Sequence, residues 1–171
     1  MKIKIIAAIG KNNEIGTKDN QIPWKFHPED MTIFSSKTKS ESGTILLGSK
    51  TFFSLPEKFR PLPNRRNLIL SDDVNLKLDG VEVFHDRETL LKTLIQENIE
   101  TLWIGGGGQI YKLFFEIADE LHISHFNTSS DQSSVFFPEI KSGDWEEISQ
   151  EKHLPLNGSP SFVHKVYHRK S

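Results

Sequence analysis

Short apolar segments alternate with segments of helical periodicity along most of this chain. Several of the short segments are apolar at consecutive positions, as strands covered on both faces are. The strand-like segments are Ile3 to Ile9, Thr44 to Leu47, Asn67 to Leu70, Val81 to Phe84, Thr101 to Ile104 and Leu121 to Phe126. This alternation predicts an α/β fold with three layers, in which helices flank a central sheet.

Three helices are predicted between these strands. One begins near Pro28, because proline suits the first turn and the acidic Glu29 and Asp30 complement the helix dipole, and it should end at about Lys39. A second follows Asp86 as its N-cap, and a third follows a glycine run. Their apolar residues at helical spacing are Leu91, Leu94, Ile95 and Ile99 in the second helix, and Ile110, Leu113, Phe114 and Ile117 in the third.

The C-terminal region has the pattern of two strands. Glu146 to Lys152 and Phe162 to His168 are joined by a loop that contains Pro155, Asn157, Gly158 and Pro160. Proline, asparagine and glycine in such a cluster are typical of a turn. The pattern predicts an antiparallel hairpin that closes one edge of the sheet.

Composition narrows the class of protein. A chain of 171 residues with 36% hydrophobic residues and a net charge of -2 predicts one folded domain over residues 1–171. So small a charge gives no general attraction to nucleic acid or membranes, so small molecules are the expected partners. The absence of cysteine excludes disulfides, zinc thiolate sites and cysteine nucleophiles, and no metal site is expected. No segment resembles a signal peptide or a membrane span, so we expect a cytoplasmic protein.

The segment from Gly10 to His27 lacks periodicity. A loop of this length inside a compact domain is usually functional or disordered. Trp24 favours order, because a large aromatic ring gains most when it is buried. The alternative is a surface loop pinned by one tryptophan, and the segment alone does not decide between the two.

Asp30 lies at the boundary between this loop and the helix that begins near Pro28. Met31 and Phe34 place apolar side chains on the same side of the helix, so Asp30 could project into an apolar cleft. A carboxylate there suits a ligand that offers an amino group beside a ring N–H. The alternative is an acid that only complements the helix dipole.

Three arginines surround a rigid turn in the run from Arg60 to Arg66, just before a buried strand. A guanidinium held at a fixed point binds a carboxylate with two hydrogen bonds, so this run is a candidate carboxylate clamp. The alternative is a solvated basic turn.

Two strand-to-helix junctions are suited to phosphate. The four glycines Gly105 to Gly108 precede a helix, where backbone N–H groups without side chains around them can bind an anion. Their spacing matches neither the dinucleotide fingerprint nor a P-loop, so this signal alone is weak. The junction from Gly48 to Thr51 adds hydroxyls and a cation at a second helix start. Two helix ends facing one ligand would suit a dinucleotide.

The order of these motifs resembles the dihydrofolate reductase family from end to end. The matching segments are Ile6 to Ala8, Ile15-Gly16, Ile22 to Trp24, Asp30 with Phe34, Gly48 to Thr51, Arg60 to Arg65, Leu70-Ser71, Ile104 to Tyr111, Phe136 to Pro138 and Asp144-Trp145. The resemblance implies a three-layer α/β sandwich: a mainly parallel eight-stranded sheet with a C-terminal antiparallel strand and four flanking helices. It also implies reduction of 7,8-dihydrofolate to 5,6,7,8-tetrahydrofolate by NADPH, with hydride transfer to pterin C6 and a proton delivered by water to N5. Such a reaction supports one-carbon metabolism and thymidylate synthesis.

The resemblance also implies roles for individual residues. Asp30, supported by Ser124, would bind the pterin 2-amino group and ring nitrogen, and Arg65 would clamp the glutamate carboxylate of folate. The implied catalytic residues are Ile22, Trp24, Asp30, Tyr111 and Ser124. The implied substrate-binding residues are Ile6, Ala7, Asp30, Met31, Phe34, Leu55, Arg60, Leu62, Arg65, Gly105 and Ser124. The implied cofactor-binding residues are Ala8, Ile15, Gly16, Gly48, Ser49, Lys50, Thr51, Leu70, Ser71, Asp72, Gly106, Gly107, Gly108, Gln109, Ile110 and Tyr111. A cis peptide at Gly106-Gly107 and a monomer that binds antifolates are implied as well.

Three positions depart from the family pattern. Gly105 replaces a larger residue, so we expect a thinner wall beside the pterin. Ser134 stands where many relatives have an acid that braces the loop around Ile22. Asp72 follows Ser71 at the adenosine end, where a basic or hydroxyl residue is commoner, and this predicts a weakened preference for NADPH.

Two other functions fit part of the pattern. The riboflavin-pathway reductase domain shares this fold and cofactor but acts on a ribosylated pyrimidine phosphate. Asp30 beneath an apolar wall, together with Arg65, favours folate. A nucleotide-binding or regulatory module without turnover is the other alternative, and the presence of both Asp30 and Trp24 argues against it.

Overall fold

A computed structural model describes residues 1–17, 21–40 and 43–171. Within those ranges the chain forms ten strands and four α-helices, and a short 3-10 helix at Glu57–Phe59 follows the second helix. The elements in chain order are β1 Lys2–Ile9, β2 Glu14–Thr17, α1 Pro28–Lys39, β3 Thr44–Gly48, α2 Ser49–Ser54, β4 Arg66–Leu70, β5 Glu82–Phe84, α3 Arg87–Gln96, β6 Thr101–Ile104, α4 Gly108–Phe115, β7 Glu120–Phe126, β8 Ser133–Phe136, β9 Trp145–His153 and β10 Phe162–Arg169.

Eight strands form the main sheet in the order β5-β4-β3-β6-β1-β7-β10-β9. Neighbouring strands are parallel except at β10, which runs antiparallel to both β7 and β9. This confirms the predicted α/β fold with a mainly parallel eight-stranded sheet, a C-terminal antiparallel strand and four helices. The predicted hairpin of β9 and β10 closes one edge of the sheet.

The two faces of the sheet carry separate hydrophobic cores. The major core contains Leu90 and Leu94 of α3 and Phe114 of α4, together with apolar residues of the central strands. The minor core, on the other face, contains Phe52 of α2 and has Phe34 of α1 packed against it. Since successive side chains of a strand point to opposite faces, the continuously apolar strands supply both cores. The helices therefore cover the sheet in pairs.

In two helices only some of the apolar residues at helical spacing are buried. In α3 the buried residues are Leu90 and Leu94, whereas Ile95 is 60% exposed. In α4 the buried residues are Ile110, Tyr111, Phe114 and Phe115, whereas Leu113 and Ile117 are exposed. Both helices carry more apolar residues than one face holds, so periodicity alone did not determine which of them turn inward. The predicted bounds of α1 and the Asp86 N-cap of α3 are confirmed.

The segment from Gly10 to His27 is not irregular throughout. Strand β2 lies within it and pairs antiparallel with β8 in a separate two-stranded sheet. The prediction missed this strand because β2 has only four residues and its partner lies more than 100 residues further along the chain. Residues 18–20 of the predicted loop lie outside the described residues.

None of the helices that the structure describes is long and apolar enough to cross a membrane.

Candidate active site

The carboxyl ends of three adjacent parallel strands, β3, β6 and β1, meet at one edge of the sheet. In open α/β sheets such an edge is where ligands bind. Two backbone hydrogen bonds tie the strand ends together there: Gly105 N–H donates to Leu46 O at 2.9 Å, and Gly48 N–H donates to Gly106 O at 2.7 Å. The two predicted phosphate-binding junctions are therefore neighbours.

Asp30 is the third residue of α1 and is held by a side chain from the sheet. The Ser124 hydroxyl on β7 donates to Asp30 Oδ1 at 2.5 Å. Burial raises the pKa of the Asp30 carboxyl, and this hydrogen bond lowers it; the pKa stays above its usual range. The structure thus brings together Asp30 and Ser124, the acid and the hydroxyl that the resemblance paired.

The N-cap of α1 is His27, which sequence reasoning missed. Its Nδ1 accepts from Glu29 N–H at 3.2 Å, and its Nε2 lies 2.8 Å from Leu154 O. Because Nδ1 accepts, Nε2 carries the proton and donates to that carbonyl. Histidine is an uncommon cap, and local sequence gives no sign of the distant carbonyl that holds it.

The minor core gathers most of the predicted apolar substrate residues. Ile6 and Leu62 are buried in it, and Phe34 and Leu55 pack against it. Met31 on α1 is 47% exposed. The side chain of Ala7 belongs instead to the major core, on the opposite face of the sheet from Ile6. The wall beside Asp30 therefore consists mainly of side chains from β1, α1 and the segment around Leu55 and Leu62.

The three arginines of the Arg60 to Arg66 run lie in different environments. Arg65 Nη1 donates to Thr38 Oγ1 at 2.9 Å and its Nε donates to Pro63 O at 3.0 Å, with the guanidinium 5.8 Å from the Phe34 ring. Thr38 lies eight residues after Asp30, about 12 Å further along α1 at 1.5 Å per residue. Arg65 therefore lies at the opposite end of the apolar wall from Asp30.

Arg60 and Arg66 differ from Arg65 in their partners. Arg60 lies over the Phe53 ring, at 5.8 Å from its centre, and donates to Phe53 O at 3.4 Å. Arg66 forms ion pairs with Glu82 at 2.5 Å and Glu97 at 2.6 Å, which raise its pKa. Arg66 thus joins β4 to β5 and to the end of α3 through surface ion pairs.

The glycines of both junctions pack too closely against neighbouring residues to be replaced by larger ones. A Cβ on Gly107 would lie 2.7 Å from Thr51 Oγ1, and one on Gly48 would lie 3.0 Å from Ile110 Cγ1. Gly106 has a φ of 116°, and the Gly106-Gly107 peptide is cis, as the resemblance implied. The starts of α2 and α4 therefore approach each other closely through glycine.

Tyr111 of α4 is fixed beneath this turn. Its hydroxyl donates to Ile6 O at 2.8 Å, and a Cβ on Gly106 would meet that hydroxyl at 3.1 Å. Burial raises the pKa of Tyr111, so the hydroxyl stays protonated. Tyr111 thus links the glycine turn to the strand that carries the substrate wall.

The two-stranded sheet of β2 and β8 lies against the same turn. A Cβ on Gly108 would overlap Val135 Cγ1 and lie 3.6 Å from Ile15 Cδ1, while one on Gly16 would lie 3.8 Å from Val135 Cβ. Ile15 and Gly16, two predicted cofactor residues, are therefore brought to the glycine turn. Val135 was not predicted, because nothing in its local sequence indicated a pairing with β2.

At the far end of the predicted cofactor site, Ser71 N–H donates to Phe84 O at 2.9 Å and Ser71 O lies 2.9 Å from His85 Nδ1. Asp72 is exposed. His85 was not predicted, since the parallel pairing of β4 with β5 brings it beside Ser71. Leu70 packs against the major core.

Glu14 provides a brace that the sequence did not indicate. Its buried carboxylate accepts from Asn12 N–H at 2.7 Å and from Ser130 N–H at 3.2 Å, linking the loop after β1 to the loop after β7. Burial alone would raise the pKa of Glu14, but these backbone donors hold it below its usual range. Glu14 therefore braces these two loops against each other, and the effect of Ser134 on the loop around Ile22 stays a prediction.

The expected thinner wall at Gly105 is wrong. A Cβ on Gly105 would lie 2.7 Å from Leu47 Cδ2 and 3.0 Å from Ile45 Cδ1. Both side chains come from β3, the neighbouring strand. Leu47 and Ile45 thus occupy the space that a larger residue at 105 would take.

The fold and this site define a class: an α/β protein with an acid beside an apolar wall and two neighbouring strand-to-helix junctions at one edge of a mainly parallel sheet. A sequence model of the family described as dihydrofolate reductase matches residues 2–169. A dihydrofolate reductase of Staphylococcus haemolyticus is 34% identical over 170 residues, covering 99% of this chain and 96% of that protein. The type 3 dihydrofolate reductase of Salmonella typhimurium is 35% identical over 163 residues, covering 95% and 94%. The dihydrofolate reductase of Neisseria gonorrhoeae is 35% identical over 166 residues, covering 96% and 97%.

The chain therefore belongs to the dihydrofolate reductase family, which consists of oxidoreductases that reduce dihydrofolate to tetrahydrofolate with a nicotinamide cofactor.

We predict that Gly105 and Leu47 are coupled in stability. Gly105→Ala should destabilise the fold by about 1–3 kcal/mol, because the new methyl group displaces Leu47. Leu47→Ala should cost about 2–5 kcal/mol through the cavity it leaves. In the double variant the added methyl group fills part of that cavity. Urea unfolding should therefore show a smaller loss in the free energy of unfolding than the sum of the losses in the two single variants. Strict additivity of the two losses would contradict the proposed packing.

Proposed function

We propose that this protein reduces 7,8-dihydrofolate to 5,6,7,8-tetrahydrofolate with NADPH, and so supports one-carbon metabolism and thymidylate synthesis. One observation carries the proposal: the Asp30 carboxylate is fixed by Ser124 at one end of an apolar wall, and Arg65 lies at the other end. These are the two charges that a pterin with a glutamate tail requires, at opposite ends of a surface suited to its rings.

Asp30 is suited to orient the pterin. Ser124 uses one lone pair of Oδ1, so the remaining lone pairs of the carboxylate can accept from the 2-amino group and the adjacent ring N–H. Ile6 and Phe34 supply apolar contacts for the ring and exclude water from it. Because the pKa of Asp30 is raised, the carboxylate can share a proton with the ring and favour its protonated form.

Arg65 is suited to the glutamate carboxylate. Its Nε and one Nη1 hydrogen are held by Pro63 O and Thr38, which leaves the Nη2 hydrogens and one hydrogen of Nη1 for a ligand. A guanidinium held in this way can bind a carboxylate with two parallel hydrogen bonds. Arg60, which lies over the Phe53 ring, is a second candidate for positive charge toward the carboxylate.

The residues of the glycine turn fit a dinucleotide. The starts of α2 and α4 approach each other closely, because added Cβ atoms on Gly107 and Gly48 would clash with Thr51 and Ile110. Backbone N–H groups at helix starts are suited to bind phosphate. When bound, NADPH supplies the hydride that reduces pterin C6. The residues that would hold its phosphates are Ser49, Lys50, Thr51, Gly106, Gly107, Gly108, Gln109 and Ile110, and those that would border its nicotinamide are Ala8, Ile15, Gly16 and Tyr111.

Protonation at N5 has to come from water, because Asp30 is engaged at the other side of the pterin ring. Ile22 and Trp24 lie on the segment that would control access of that water. Trp24 is packed on Phe126 with ring centres 5.1 Å apart, which fixes one end of this segment. The main contribution of the protein is to hold the two rings in contact in a dry cleft.

Mixing the protein with NADPH and dihydrofolate should remove the reduced-nicotinamide absorbance, and failure to do so would refute the proposed activity.

Asp30→Asn keeps the volume of the side chain but removes its charge, so hydride transfer near neutral pH should fall by orders of magnitude. Activity should partly recover at low pH, where the substrate arrives already protonated. Wild-type rates for Asp30→Asn at neutral pH would show that the carboxylate does not orient the ring.

Arg65→Leu should weaken folate binding by roughly 2–3 kcal/mol, as expected for hydrogen bonds to a charged group. Affinity for NADPH should hardly change. Arg66→Leu is the matched control, because its ion pairs with Glu82 and Glu97 commit it to the surface, and it should leave folate affinity unchanged. The clamp is refuted if a pterin without the glutamate tail loses as much affinity to Arg65→Leu as folate does.

Asp72 should weaken the preference for NADPH without reversing it. A like charge near the 2'-phosphate reduces affinity by about tenfold at moderate distance and screening, and Lys50 can offset that loss. Asp72→Arg should therefore tighten NADPH and leave NADH almost unchanged. Titration of both cofactors at low ionic strength measures this, and equal changes for the two would show that Asp72 points away from the phosphate.

A further inference from the structure

A buried histidine continues the polar contact between Asp30 and Ser124. Strand β7 presents alternate residues to one face, and Ser124 is paired in register with His164 on β10. His164 is 6% exposed, and its Nδ1 lies 3.1 Å from Ser124 Oγ. The three side chains therefore form a chain from β10 through β7 to α1.

The direction of these hydrogen bonds follows from the protons available. A serine hydroxyl has one proton, and Ser124 donates it to Asp30 Oδ1 at 2.5 Å. The contact of 3.1 Å to His164 must then be a hydrogen bond donated by Nδ1–H to the serine oxygen. Nε2 of His164 is buried and has no hydrogen-bond partner within the described residues, so the side chain is directed at Ser124 alone.

We propose that His164 is a positioning residue: by donating from Nδ1 to Ser124, it fixes the direction of the serine hydroxyl and holds the Asp30 carboxyl in its anionic form, ready to accept from the pterin. This inference rests on the proposed function and adds to it a residue that does not touch the substrate.

The physical basis is cooperativity along the chain of hydrogen bonds. A donor on Ser124 Oγ polarises the hydroxyl, which strengthens the bond that it donates to Asp30. A stronger hydrogen bond to a carboxylate favours the ionised carboxyl. If Asp30 were protonated and donated to Ser124, the serine hydroxyl would donate to His164 Nδ1 and both hydrogen bonds would change direction. The proton of His164 would then have to move to Nε2, which has no partner within the described residues. His164 thus opposes the effect of burial on Asp30.

Burial, more than the charged neighbours, sets the protonation state of His164. Burial, followed by positive neighbours, lowers its pKa to about 4, so it is neutral near pH 7 and acts on Ser124 through a neutral hydrogen bond. The groups around it are His122 and His125 on β7, Glu151 and His153 on β9, and Lys37 on α1. Those around Asp30 are His27 at the start of α1, His153 on β9 and Tyr111 on α4.

Three substitutions separate this role from simple core packing. His164→Phe keeps a ring but removes the donor. His164→Asn places an amide N–H near the position of Nδ1, whereas His164→Gln places it near Nε2. We expect the pKa of Asp30 to rise by about half a unit to one unit in the Phe and Gln variants and to stay near the wild-type value in the Asn variant.

The readout is a carbon-13 NMR titration of the Asp30 carboxyl in the protein without ligands, with the signal assigned by its loss in Asp30→Asn. A shift in His164→Asn as large as that in His164→Gln would overturn the proposal. Thermal unfolding reports whether each variant is folded. If His164→Phe fails to fold, the comparison of Asn with Gln decides.

Two controls test whether the effect passes through Ser124. In a Ser124→Ala background, His164→Phe should leave the Asp30 titration unmoved, and a shift that persists there refutes the relay. His125→Phe is the matched control, because His125, on β7, is a neutral histidine like His164. His125 faces the other side of the sheet, where its Nε2 lies 2.8 Å from the Tyr167 hydroxyl. It should leave the titration unmoved.

The titration uses the protein alone, so it separates the two proposals. A protein without dihydrofolate reduction refutes the proposed function even if His164 shifts the titration of Asp30. An active protein in which all three His164 variants titrate as the wild type does refutes the relay and leaves the proposed function standing.

Discussion

Hydrogen bonds at both ends of helix α1 add to the packing of Phe34 in holding the helix to the sheet, and Thr38 is its single fully buried residue. Near its start Asp30 is bound by Ser124, and near its end Thr38 is bound by Arg65. A helix that buried an apolar stripe against the sheet would use those side chains for the core. Because α1 buries little apolar surface beyond Phe34, Met31 stays half exposed beside Asp30.

The same hydrogen bonds place the two charges of the cleft. Asp30 lies near the start of α1 and the Arg65 guanidinium is bound to Thr38 near its end, so the helix sets the spacing of the two charged groups. On the other side of the cleft, backbone hydrogen bonds between β3 and β6 set the approach of the two glycine-containing junctions. The apolar wall beside Asp30 and the two glycine-containing junctions are thus positioned by helices and strands of one sheet.

The sequence predicted most of the sheet, and the structure brings several of the predicted site residues to one edge of it. Buried strands such as Thr101–Ile104 are apolar at every position but one, so their bounds are readable locally. Asp30, Arg65 and the glycine run were found because their order along the chain matches a family. What was missed depends on pairing between distant segments. The contact of His164 with Ser124, the filling of the Gly105 space by Leu47, and the β2–β8 pair each require knowledge of which strands are neighbours and in which register. The sequence likewise did not determine which apolar residues of α3 and α4 turn inward, because both helices are apolar on more than one side.

Neutral histidines inside the fold have a thermodynamic consequence beyond the cleft. Burial lowers the pKa values of His122, His125 and His164 to about 4, against an ordinary value of 6.5. Unfolding exposes these rings to water, so between those two pH values the unfolded chain binds up to about three protons that the folded chain does not. Protons then act as ligands of the unfolded state, and the folding equilibrium shifts against the native protein as the pH falls from 6.5 toward 4. Molecules that bind only the native cleft shift this equilibrium in the opposite direction, so substrate and cofactor concentrations would set how much acid the fold withstands.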